Sequence, residues 1–88
     1  MIFVTLVKLR KKPTKELVAQ ATKALGQMTK EGIKFIGQYY TLGRYDIIFL
    51  AEAKDEKTVM KHMMQLGDIA STETLVAVPR EEAIKLVE

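Results

Sequence analysis

From residue 39 to residue 50 the chain reads Tyr39-Tyr40-Thr41-Leu42-Gly43-Arg44-Tyr45-Asp46-Ile47-Ile48-Phe49-Leu50, two strand-forming runs interrupted by a Gly-Arg pair and an acidic residue. β-Branched and aromatic side chains suit the pleated, half-buried surface of a sheet, and a glycine at the break supplies the positive φ that a tight hairpin needs. The segment is therefore expected to be a central hairpin, with Gly43 and Tyr45 as its structural turn residues. One helical pattern precedes it, and another follows before a last strand. The element order is thereby constrained to strand-helix-strand-strand-helix-strand.

The flanking elements follow from periodicity. Ile2 to Leu9 is apolar on both alternating sets, Ile2, Val4 and Leu6 on one, Phe3, Val7 and Leu9 on the other, as a strand covered on both sides would be. After Pro13, Thr14 is placed to cap a helix whose apolar Leu17, Val18, Ala21, Ala24, Leu25 and Met28 share one side of the helical wheel. Gly32 ends that helix. A second strand is expected over Ile33 to Leu42, with a bulge or bend at Gly37. The third, Tyr45 to Ala53, has Ile47, Phe49 and Ala51 on one set and Ile48 and Leu50 on the other, interrupted by Asp46 and Glu52. Asp55 is placed to cap a second helix with Val59, Met60, Met63 and Leu66 on its inner stripe, ending near Gly67. A fourth strand is expected from about Ile69 to Val78, where Pro79 breaks it. Arg80 to Glu88 keeps the helical spacing Ala83, Ile84, Val87, a short tail that docks on something, a partner subunit being one choice.

Such an order is the ferredoxin-like split β-α-β plan: α+β, one domain over residues 1–88, a four-stranded antiparallel sheet with two helices on one face. Two helices cover only one side, yet the first and third strands, central in this plan, are apolar on both. A monomer would expose more contiguous apolar sheet than the few hundred Å² that soluble monomers usually carry. The simplest remedy is a homodimer in which two sheets face each other across about 800 Å² or more per subunit.

Composition narrows the remaining classes. Hydrophobic residues at 48% and charged residues at 28% are those of a globular chain. No apolar run reaches the roughly 18 residues of a membrane span, and Met1-Ile2-Phe3-Val4 lacks the basic start of a secretory signal, so a cytoplasmic location is expected. With no cysteine, disulfides and thiolate zinc sites are excluded. The absence of asparagine and tryptophan beside abundant lysine and glutamate leans toward a thermophilic source. Part of the net charge of +3 sits in Lys8, Arg10, Lys11, Lys12 and Lys15, read first as a solvated loop.

Three stretches carry a family resemblance: Phe3-Val4-Thr5-Leu6-Val7-Lys8, Tyr39 to Asp46, and Ser71-Thr72-Glu73-Thr74-Leu75. Together they resemble GYD domain proteins, whose Gly-x-Tyr-Asp signature corresponds to Gly43, Arg44, Tyr45 and Asp46. The resemblance implies the dimeric α+β barrel group and no established activity. The short Arg10-Lys11-Lys12-Pro13 connection departs from the longer insertion of many members. The hairpin also resembles effector-binding domains of leucine-responsive regulators, which bind small molecules such as amino acids between subunits.

Candidate chemistry is sparse. Asp46 at the start of a buried strand needs a partner, so it either anchors the turn through backbone N–H groups or, with Arg44 and Tyr40, lines the mouth of a cleft for an amino-acid-like or other zwitterionic ligand. His62, the sole histidine, falls at the edge of the second helix's apolar stripe and is expected to be partly exposed. A small cofactor-free enzyme using Asp46 and His62 as an acid-base pair is the alternative to a binding or structural module. His62 and Met64 point roughly 160° apart on a helix and cannot share a metal. No phosphate loop, Ser/His/Asp set or paired carboxylates are present, and neither metal nor cofactor is expected. Single-stranded nucleic acid, stacked on Phe3, Tyr45 and Phe49, ranks below both because the RNA-recognition signature is missing from Tyr45 to Leu50.

Overall fold

The computed structural model describes residues 1–87; residue 88, the last of the expected tail, lies outside them. β1 (Ile2–Leu9), α1 (Lys15–Lys30), β2 (Lys34–Tyr40), β3 (Ile47–Glu52), α2 (Glu56–Gln65) and β4 (Ala70–Ala77) follow in the expected order, then α3 (Arg80–Ala83) and a 3₁₀ turn, Ile84–Val87. The strands form one antiparallel sheet in the order β2-β3-β1-β4, so β1 and β3 are central. The fold is ferredoxin-like α+β.

Both helix starts are made by the residues placed there. Thr14 in extended conformation accepts from the Leu17 N–H at 3.1 Å, and Asp55 accepts from the Thr58 N–H at 3.0 Å, each satisfying one of the orphan donors of a first turn. Gly32, at φ 99°, turns the chain out of α1.

Strand parity sorts the core. Phe3, Thr5 and Val7 on β1 lie opposite Ala51, Phe49 and Ile47 on β3, and α1 and α2 cover this side. Phe3, Met28, Ile33, Ala51, Ala53 and Val59 form one buried cluster, and Val7, Ile47 and Ala70 a second beneath α1. Thr5, the one polar member of the row, shares a hydroxyl hydrogen bond of 3.0 Å with Thr74 across to β4. On the opposite parity, Val4, Leu6, Ile48 and Leu50 are only half-buried, while Leu75 and Tyr39 are exposed. No element of the described residues covers that second face.

Three details depart from the sequence expectation. β2 stops at Tyr40 and β3 begins at Ile47, so the hairpin is a six-residue connection rather than a two-residue turn. Its closing bond, Thr41 N–H to the Asp46 carbonyl at 2.9 Å, encloses residues 42–45, and Gly43 supplies the expected positive φ at 101°. Second, α2 is rotated relative to the predicted stripe: His62 is buried at 3% exposure and Met60 is 57% exposed. Third, Val18 is exposed, because the sheet is met by the later turns of α1. The bulge expected near Gly37 is present. The β2-β3 register shifts between Phe35 and Gly37, leaving Ile36 exposed, and the Tyr39 ring lies over Gly37 so closely that a Cβ there would sit 2.7 Å from it.

Candidate functional site

The connection between β2 and β3 brings Asp46 against the end of β1. Asp46 N–H donates to the Val7 carbonyl at 2.8 Å, and its carboxylate accepts from the Leu9 N–H at 2.8 Å. Lys8 Nζ lies 3.6 Å from the same carboxylate oxygen. These contacts make Asp46 a local anchor, since a carboxylate beside a turn that accepts a backbone N–H continues the ladder where the strands separate. Thr41 Oγ1 donates to the Tyr45 carbonyl at 2.7 Å and stiffens the same loop.

Arg44 and Tyr45 turn the other way. The Tyr45 hydroxyl donates to Glu73 at 2.8 Å, and the Arg44 guanidinium stands 5.7 Å from the centre of the Tyr45 ring, within cation-π range. The Glu73 hydrogen bond holds the Tyr45 phenol above its ordinary pKa, helped by partial desolvation and by the carboxylate's charge. Lys8, Arg44, Tyr45, Ser71 and Glu73 line an open hollow of ≈340 Å³ at one end of the uncovered sheet face. Two cations, a carboxylate and a phenol meet there. Tyr40 is not among the lining residues; it pairs with Ile47 and is exposed on the edge strand, as is Tyr39 on the opposite parity.

His62 belongs to a different neighbourhood. Its Nε2 lies 3.1 Å from a Glu31 carboxylate oxygen, off the line of the ring N–H, so this buried atom has no aligned hydrogen-bond partner among the described residues. The other Glu31 oxygen takes Lys61 Nζ at 2.7 Å, and Lys61 holds the Glu31 carboxyl below the ordinary carboxylate range. The cluster ties α2 to the end of α1. His62 is inward beside the Glu31 carboxylate at the end of α1, a tertiary neighbour that helical periodicity does not reveal. Asp46 and His62, paired in the acid-base expectation, share no contact among the described residues. No group of three His, Cys, Asp or Glu side chains with metal-holding geometry occurs among those residues, and no helix there is long and apolar enough to cross a membrane.

A second concavity went unnoticed in the sequence. Between α2 and the outer half of β4 runs an apolar groove of ≈400 Å³, lined by Phe3, Val59, Met60, Met63, Met64 and Val76 among others. Its one sequence signal is the Met60, Met63, Met64 run on α2, of which Met60 and Met63 are expected on the inner stripe.

Comparison with known proteins agrees with the geometry. A protein of Thermus thermophilus called glutamine synthetase and cystathionine beta-lyase binding protein is 38% identical over 55 residues, covering 60% of this chain. The match covers 58% of that relative's own length. The GYD domain matches residues 2–87, nearly the full length, including the Gly43 to Asp46 signature that builds the hairpin loop. The chain belongs to the GYD domain family.

Proposed function

We propose that the chain is a small homodimeric binding module in which two copies pair through the uncovered faces of their sheets, forming a dimeric α+β barrel in the cytoplasm. The observation that carries this reading is the row of Val4, Leu6, Ile48, Leu50 and Leu75, which is apolar and lies on the side opposite both helices. Such a row tolerates water poorly, and a second identical row is its self-complementary cover. Charges bound it at each end, Lys34 and Glu52 at one, Lys8 and Glu73 at the other. An apolar centre with a polar rim is the anatomy of a protein interface.

The hollow at Lys8, Arg44, Tyr45 and Glu73 opens at the rim of that face. Its mixed charges suit a small zwitterion, with Arg44 and Lys8 facing a carboxylate and Glu73 an ammonium group. In this reading Asp46 orients Lys8, and Tyr40 offers an exposed phenol on the adjoining strand end. By likeness to the Thermus protein, named for binding two enzymes, the outer surface of the dimer engages a larger protein partner. No observation favours the enzyme alternative, since Asp46 is committed to Leu9 and His62 faces Glu31.

Native mass spectrometry under gentle and denaturing conditions tests the proposal. The expected species has twice the chain mass, and any bound small molecule appears as added mass that denaturation removes. A monomer at every concentration would overturn it.

A further inference from the structure

After β4 the chain passes Pro79, extended at ψ 143°, and forms about two turns, α3 and the 3₁₀ segment. Isolated helices this short do not persist in water, so they need a surface to dock on. Yet this arm displays its apolar residues: Ile84 is exposed, Leu86 is 80% exposed and Val87 is 87% exposed. The molecule measures 49 Å along its longest axis against 30 and 18 Å for the others, an extended outline for 88 residues. Meanwhile the groove between α2 and β4 leaves Met60, Met64 and Val76 exposed. One chain therefore carries both an unfilled apolar groove and an unseated apolar arm.

We propose that the arm of residues 79–87 seats in the α2-β4 groove of a second copy. This rests on the two-copy assembly proposed above and extends it to a second contact. Residues 79–87 are neutral as a whole, Glu81 and Glu82 balancing Arg80 and Lys85, but Arg80 gives the arm one charge complementary to the groove. The groove's single charged lining residue is Glu56, and Arg80 stands three and four residues before Ala83 and Ile84, on the same side of the arm. Ile84 and Val87, three apart in a 3₁₀ turn, eclipse on one side and present a continuous apolar edge. Methionine suits the receiving wall because its unbranched, polarisable side chain adapts to irregular occupants. Reciprocal exchange in a two-fold pair fills both grooves with both arms, whereas one-way docking would propagate into open chains.

The chain has no cysteine, so single replacements report cleanly. Met64→Cys and Val87→Cys lie at exposed positions where substitution leaves the core untouched. When the two single variants are mixed and oxidised, a mixed disulfide dimer is the expected main product, because the bond forms only when the Cβ atoms come within about 3.5–4.5 Å. A mixture of Val87→Cys with Lys23→Cys on exposed α1 gives the background. A yield for Met64→Cys no higher than this background overturns the proposal. So does a Met64→Cys/Val87→Cys double variant that closes only within one chain. Repeating the mixture with Leu50→Glu in both variants separates the two contacts. A cross-link that survives while sheet pairing is unaffected by Leu50→Glu keeps the arm and discards the sheet reading. Copies that Leu50→Glu separates, with no cross-link in its absence, discard the arm and keep the sheet.

Discussion

The two faces of the sheet are built from the same strands, alternate residues pointing each way, yet they end in opposite conditions. Phe3, Thr5 and Val7 are nearly inaccessible beneath the helices, whereas their neighbours Val4 and Leu6 are half-buried, with no element of the described residues above them. Hydrophobicity does not distinguish the rows. What differs is the cover available within one chain: two helices suffice for one face of a four-stranded sheet. A strand that is apolar on both parities thus states a need that its own domain does not meet, and the unmet half is information about assembly.

The sharpest way to break this contrast is to truncate one residue on each side. Phe3→Ala, at 2% exposure in the larger core cluster, should destabilise the fold by about 3–5 kcal/mol through lost burial and a residual cavity, read as a lower urea midpoint. Leu50→Glu on the opposite face should leave the circular dichroism of the folded chain intact. It should weaken self-association by about 2 kcal/mol or more, ~30-fold in Kd by sedimentation equilibrium, as expected of a central interface position. Equal loss of fold stability from both changes would mean that the uncovered face is not an interface.

The hairpin loop repeats the contrast on a smaller scale, since Asp46 works inward on Leu9 while Arg44 faces the hollow. Asp46→Ala strands the Leu9 N–H and should cost about 1 kcal/mol, below the usual range for a hydrogen bond to a charged group because the site is partly open to water. Arg44→Ala should leave the urea midpoint unchanged. If Arg44→Ala destabilises as much as Asp46→Ala, the division of the loop into anchor and ligand-facing halves fails.

How far these features were legible depends on the range over which each is determined. Thr14, Asp55, Gly32 and Gly43 act through bonds or dihedrals within a few residues, and each falls where the sequence puts it. Strand parity is equally local, so the two faces were readable from Ile2 to Leu9 alone. The hairpin is longer than the Gly-Arg break implies: the Thr41–Asp46 bond closes it around residues 42–45, and the Asp46 carboxylate takes the Leu9 N–H, 37 positions away in the chain. His62 and Met60 exchanged places for the same kind of reason. His62 is buried beside Glu31, which another element carries to it, and helical periodicity holds no record of that neighbour. The groove beside β4 depends on how far α2 sits from the sheet edge, which no residue in either element specifies by itself.

The two sides of the molecule also differ in the pH at which they loosen. On the helical side, the Thr58 backbone N–H and hydroxyl lower the Asp55 pKa, and Lys61 lowers that of Glu31. For a depressed carboxyl the stabilisation is fully present above the unfolded value, near 4, and is lost as pH falls through the folded value. At the rim of the uncovered face the sign reverses. The Tyr45 phenol is raised by its bond to Glu73, so its contribution is intact below about 10 and is lost as pH rises through the folded value. Urea midpoints followed from pH 2 to 11 should therefore fall at both ends for separate reasons. Asp55→Asn, which keeps a good N-cap without a titrating group, should flatten only the acid limb, and Tyr45→Phe only the alkaline one. These are the smallest effects, because all three groups lie near the surface where water and salt screen them. If either substitution changed the opposite limb, the helical layer and the open rim would be coupled, and the two faces could no longer be treated as independent halves of one sheet.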